Sequence, residues 1–75
     1  MFSKDFFASR LSILRKKSGL TQTQLGEAVG VSLHAISKME KGERAASIEV
    51  LYSLADYFDV SIDYLVGRSD DPTRH

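Results

Sequence analysis

The sequence predicts an all-α protein, a compact five-helix bundle, and three observations carry that prediction. Apolar residues recur at spacings of three and four in successive short segments, and no stretch alternates as a strand would. A hydroxyl stands ahead of four segments, at Thr21, Ser32, Ser47 and Ser61, where it can accept from an amide of the first turn. Glycine closes four segments, at Gly19, Gly30, Gly42 and Gly67, where a chain can leave a helix in a left-handed turn.

The first helix is expected from about Asp5 to Ser18, with Phe7, Leu11 and Leu14 as its apolar stripe. Ser3 or Asp5 is its expected N-cap. Arg15, Lys16 and Lys17 fall in its last turn, where cations meet the negative end of the helix dipole. The second helix follows Thr21, which with Gln24 forms a Thr-x-x-Gln capping box. Its expected inward face is Leu25, Ala28 and Val29. Gly26 lies among them at about 1 kcal/mol of helix propensity, a sign of close packing by another helix. Gly30 ends this helix, Val31 points inward, and Ser32 caps a third helix from Leu33 to Lys41. There Ala35, Ile36 and Met39 share one side, leaving Leu33, His34, Ser37, Lys38 and Lys41 on the other. Ser47 caps a fourth helix to about Phe58, whose apolar face is Val50, Leu51, Leu54, Ala55 and Phe58. Asp59 and Val60 form a short link. Ser61 caps a last short helix with Ile62, Leu65 and Val66, closed by Gly67.

Seventy-five residues, 43% hydrophobic and 27% charged, suit one folded domain rather than two or a disordered chain. The domain is expected over residues 1–67, with its two-helix core at 21–41, followed by a polar, frayed tail at 68–75. The absence of cysteine excludes disulfides and thiolate metal sites. No apolar run reaches the length of a membrane span, and MFSKDFFASRLS lacks the apolar core of a secretory signal, so a cytoplasmic protein is expected. His34 and His75 are the only histidines. No Ser-His-acid spacing, phosphate-cradling glycine loop or metal-ligand cluster accompanies them, so no enzyme, cofactor, metal or small-molecule substrate is expected.

Net charge is zero, but the charge is not evenly spread. Residues 1–44 hold eight Lys and Arg against four Asp and Glu, and residues 45–75 hold two against six. Such a split can present a basic face to phosphates.

Leu20 to Gly42 therefore reads as two short helices about a tight turn, the form that lays its second helix in a major groove. Leu33, His34, Ser37 and Lys38 are the expected base-reading edge. Lys38 can donate to guanine, His34 can donate or accept, and Leu33 can meet a thymine methyl. Phosphate contacts are expected from Gln22 and Thr21 at one helix start, Ser32 at the other, and Lys41 and Arg44 beyond the reading helix. The double-stranded DNA partner follows from this placement.

The chain also resembles a known family. RLSILRKKSGLTQTQLG, EAVGVSLHAISKMEKG and SIEVLYSLADYFDVSIDYLVG, spanning Phe7 to Gly67, are similar to the Cro and phage-repressor helix-turn-helix proteins, also called the XRE family. The resemblance implies a lambda-repressor-like fold and a transcriptional regulator, most simply a repressor. It implies that Gln22 binds phosphate and that Leu33, His34, Ser37 and Lys38 face bases. It also implies an ion pair between Arg15 and Glu40 behind the reading helix. Gly26 stands where the family commonly has alanine, and Leu33 and His34 replace the basic residues often found early in the helix. The ending DYLVGRSDDP is common where a further region follows, so the chain is expected to be either a minimal regulator or a truncated product.

One reading helix covers few base pairs, so a homodimer on a palindromic operator is expected. Tyr52, Tyr57, Ile62, Tyr64 and Val66 are its candidate interface, with core packing the simpler role for Ile62. Phe2 and Phe6 lie outside the first helix's stripe and could cap the core or meet a partner. Two alternatives remain: an antitoxin-type protein-binding module that also binds DNA, and a restriction-modification controller protein.

Overall fold

A computed structural model describes residues 4–73. Five helices follow in order: α1 (Lys4–Lys17), α2 (Gln22–Val29), α3 (Leu33–Glu40), α4 (Ile48–Phe58) and α5 (Ile62–Leu65). The all-α expectation holds, and no strand occurs among the described residues. Ser3 and Phe2 lie outside them. Asp5 sits in the first turn of α1, not ahead of it as a cap.

The caps act as the hydroxyl pattern requires. Thr21, Ser32, Ser47 and Ser61 each have extended backbone and accept through the side chain from the amide three residues on. At Thr21 the capping box is complete, since Gln24 Oε1 accepts from the Thr21 amide at 2.9 Å. Short helices of eight residues are marginal alone, so these caps and the packing below must hold them.

One core gathers the inward faces. Phe7 and Leu11 of α1, Leu25 of α2, Ile36 and Met39 of α3, Leu54 of α4 and Leu65 of α5 are fully or almost fully buried. Burying each such side chain is worth about 1.5–3 kcal/mol. Helix α3 packs mainly on α1 and α2; α5 packs on α1 and α4, and α4 also on α2. Helix α3 is thus held from behind by two helices and left open in front.

Three expectations change. Ala28 is exposed rather than inward, and Gly26 is the buried residue beside Leu25. The reason Gly26 must be small also differs: an added Cβ would lie 2.5 Å from the Val31 carbonyl oxygen, so the close approach is by the turn's own backbone and not another helix. Val60, expected in a mere link, is buried. Asp59 takes the left-handed conformation at φ 55°, and Val60 donates back to the Ala55 carbonyl at 3.0 Å. This closure satisfies end carbonyls of α4 and turns Val60 into the core.

The C-terminal residues that composition marks as frayed fold back where they are described. The Ser61 amide donates to the Pro72 carbonyl at 3.0 Å. Arg10 donates to the carbonyls of Tyr64 and Ser69, each at 3.2 Å, and pairs with Asp70. Its guanidinium lies 4.0 Å from the centre of the Tyr64 ring.

The Gly26 contact predicts that Gly26→Val destabilises the domain by about 1–3 kcal/mol, the range for overpacking a filled site. Urea denaturation followed by circular dichroism measures it; an unchanged midpoint would show that the turn has room.

Candidate nucleic-acid interface

Helix α3 divides cleanly. Ala35, Ile36 and Met39 are buried against the body, which turns Leu33, His34, Ser37 and Lys38 together onto the opposite side. Leu33, His34 and Lys38 are exposed and Ser37 is half-buried. Leu33 stands 41% exposed at the first position of the helix, a large apolar side chain that the fold leaves uncovered. Neither α2 nor α3 has an acid in its first turn, so the positive ends of both helix dipoles remain uncompensated.

The flanking residues divide by role. Thr21 Oγ1 and Ser32 Oγ are occupied as acceptors, from the Gln24 amide at 3.0 Å and the Ala35 amide at 3.1 Å. Each hydroxyl keeps its proton for an outward acceptor. Lys41 is the C-cap of α3 and is exposed, as is Arg44 in the loop beyond.

Behind this face Arg15 and Glu40 meet side by side. Arg15 Nε donates to Glu40 Oε2 at 2.6 Å and Arg15 Nη2 to Glu40 Oε1 at 3.0 Å. The third donor, Nη1, reaches the Leu20 carbonyl at 2.8 Å, just before α2. The two side chains are 13% and 7% exposed, which places the pair nearer the buried regime than the solvated one. The hydrogen bond to Glu40 raises the Arg15 pKa; burial opposes the rise and the carboxylate charge adds to it. A raised arginine stays charged across the working pH range, so its contribution is present there and fades only in strong alkali.

Gln22 makes a contact that sequence reasoning missed. Its Nε2 donates to Glu40 Oε1 at 3.3 Å. Eighteen positions separate the two, and nothing in the spacing signals the pair. The Arg10 cluster was missed as well; its one sign was a cation three residues from Phe7, at the edge of the apolar stripe.

The five interface candidates separate. Tyr52 and Tyr57 are 57% and 46% exposed on α4. Ile62, Tyr64 and Val66 are half-buried and packed on the core. Phe6 is exposed, with its Cβ against Gly67.

A family model described as helix-turn-helix matches residues 11–65. The chain belongs to this helix-turn-helix family. It is 36% identical over 66 residues to the uncharacterized HTH-type transcriptional regulator YobD of Bacillus subtilis, a match over 88% of this chain and 59% of that protein. It is 41% identical over 59 residues to the cryptic phage CTXphi transcriptional repressor RstR of Vibrio cholerae, over 79% of this chain and 53% of that one. The chain thus spans little more than half the length of these two relatives. Among solved structures, the P22 c2 repressor in complex with a synthetic operator superposes with a TM-score of 0.81 at 36% identity, over 85% of this chain and 97% of that one. The fold is therefore that of the phage repressors, and these relatives are regulators rather than enzymes. No described helix is long and apolar enough to cross a membrane.

The geometry of the strut predicts that Arg15→Ala lowers unfolding free energy by about 3 kcal/mol, because it strands the Glu40 carboxylate. Glu40→Ala should cost a similar amount, and the double variant less than the sum. Denaturant midpoints of the three variants test this; simple additivity would mean that the two residues act separately.

Proposed function

We propose that the protein is a sequence-specific double-stranded DNA-binding transcriptional repressor. It reads the major groove with α3 and acts as a homodimer on a palindromic operator. The observation that carries this reading is the face of α3, where Leu33, His34, Ser37 and Lys38 lie together, outward, from the first turn of the helix to its last. Those side chains offer donors for base edges and apolar atoms for a thymine methyl. Gln22, Thr21, Ser32, Lys41 and Arg44 supply phosphate contacts on both flanks. The kinship with RstR, named as a repressor, and with an operator-bound phage repressor supports repression over the antitoxin and controller alternatives.

The dimer is proposed on size. One domain of these dimensions buries too little on DNA for a regulator's discrimination, and two copies on half-sites about one turn (~34 Å) apart double it. Of the five candidates, Tyr52 and Tyr57 are the two with exposed aromatic surface to offer a partner.

Selection of bound sequences from a random duplex pool is the deciding experiment. Lys38→Ala should relax the preference at one position and cost about 1–3 kcal/mol on the preferred site. If the variant selects the same sequences as the parent, the reading face is assigned wrongly. Affinity for duplex should also fall steeply from low to physiological salt as counterions return to the phosphates. A recovered site without two-fold symmetry, bound by one copy in sedimentation, would remove the dimer.

A further inference from the structure

We infer that Glu40 is a positioning residue for DNA binding, acting through Gln22. This rests on the proposed phosphate role of Gln22. The Glu40 carboxylate is 7% exposed and accepts on both oxygens. Oε2 takes Arg15 Nε, and Oε1 takes both Arg15 Nη2 and Gln22 Nε2. An ionised carboxylate can only accept. It therefore selects the nitrogen end of the Gln22 amide and turns the oxygen end away. One N–H of that nitrogen is held by Glu40, which leaves the second for another acceptor at the first position of α2.

Without this contact a glutamine amide turns freely, and half its orientations present oxygen to a phosphate. Oxygen against phosphate repels, so the free rotor must be ordered at the moment of binding. Glu40 does that ordering in the free protein. A bare carboxylate so close to a phosphate site would oppose binding; the side-by-side guanidinium of Arg15 neutralises it. The same pair thus supports the fold and sets the donor.

A fluorescein-labelled duplex of fixed random sequence is the probe, because a phosphate contact does not depend on base identity. Gln22→Ala should weaken binding about three- to tenfold, the effect of one hydrogen bond. Glu40→Asp keeps the charge within reach of Arg15 but withdraws it from Gln22, and should weaken binding by a similar factor. The double variant should bind no more weakly than either single one. If Gln22→Ala has an effect and the losses multiply, positioning is overturned while the phosphate contact stands. If Gln22→Ala has no effect on any duplex, the phosphate role fails and positioning falls with it. A second measurement needs no variant. In nitrogen-15 spectra of the free protein, the Gln22 side-chain amide should show one proton shifted downfield from the ordinary glutamine position. An averaged, ordinary pair of resonances overturns the inference even if Glu40→Asp fails to fold.

Discussion

The position of α3 depends on one guanidinium. The buried side chains of that helix, Ala35, Ile36 and Met39, set which side faces inward. They do not set its height along α1, because apolar contacts are non-directional. Arg15 supplies the direction. Its planar fork grips Glu40 at the last residue of α3 and the Leu20 carbonyl just before α2. One side chain on α1 therefore ties the end of α3 to the start of α2. Lysine, with a single compact ammonium, could not make the three contacts in fixed geometry.

The turn supplies the second constraint, and it is made of backbone. Val31 donates to the Gly26 carbonyl at 2.9 Å, and the Val31 carbonyl lies where a side chain on Gly26 would be. Gly30 carries the left-handed step at φ 78° that lets the chain double back. The angle between α2 and α3 is thus set by two glycines four residues apart. The strut then fixes the pair against α1. The outward edge of α3 keeps its place on the body only with both.

Much of this was legible in the residues. The four hydroxyl caps, the closing glycines and the 3.6-residue stripes give the helices their type and nearly their ends, because each signal is local. The outward edge of α3 was legible for the same reason. What was not legible is non-local. Arg15 and Glu40 stand 25 positions apart, and only family likeness linked them. Gln22 with Glu40 had no sign in any spacing, and Arg10 with Tyr64 and Asp70 had only the cation's place three residues from Phe7, which names no partner. Ala28 failed as an inward residue because alanine carries too little apolar surface to fix a helix's rotation, and Gly26 needed the turn's backbone to explain it. Val60 was hidden because its burial follows from the left-handed turn at Asp59, a conformation an aspartate adopts less freely than glycine.

The contacts also change how the zero net charge is read. Arg10 and Arg15 are the cations of residues 1–44 that pair internally, with Asp70 and Glu40. They add little to an external field. The exposed cations of that half are Lys4, Lys16, Lys17, Lys38, Lys41 and Arg44, and three of them lie on α3 or in the loop that follows. The acidic residues of the other half belong to α4, α5, the link between them and the segment after them, while α3 packs on α1 and α2. The molecule measures 28 × 22 × 21 Å, against a screening length of about 8 Å at physiological salt. Charges separated by more than that length are therefore largely screened from each other. On α3 and the loop after it the exposed charges are Lys38, Lys41 and Arg44 against Glu43, so neutrality overall is compatible with a locally basic surface there.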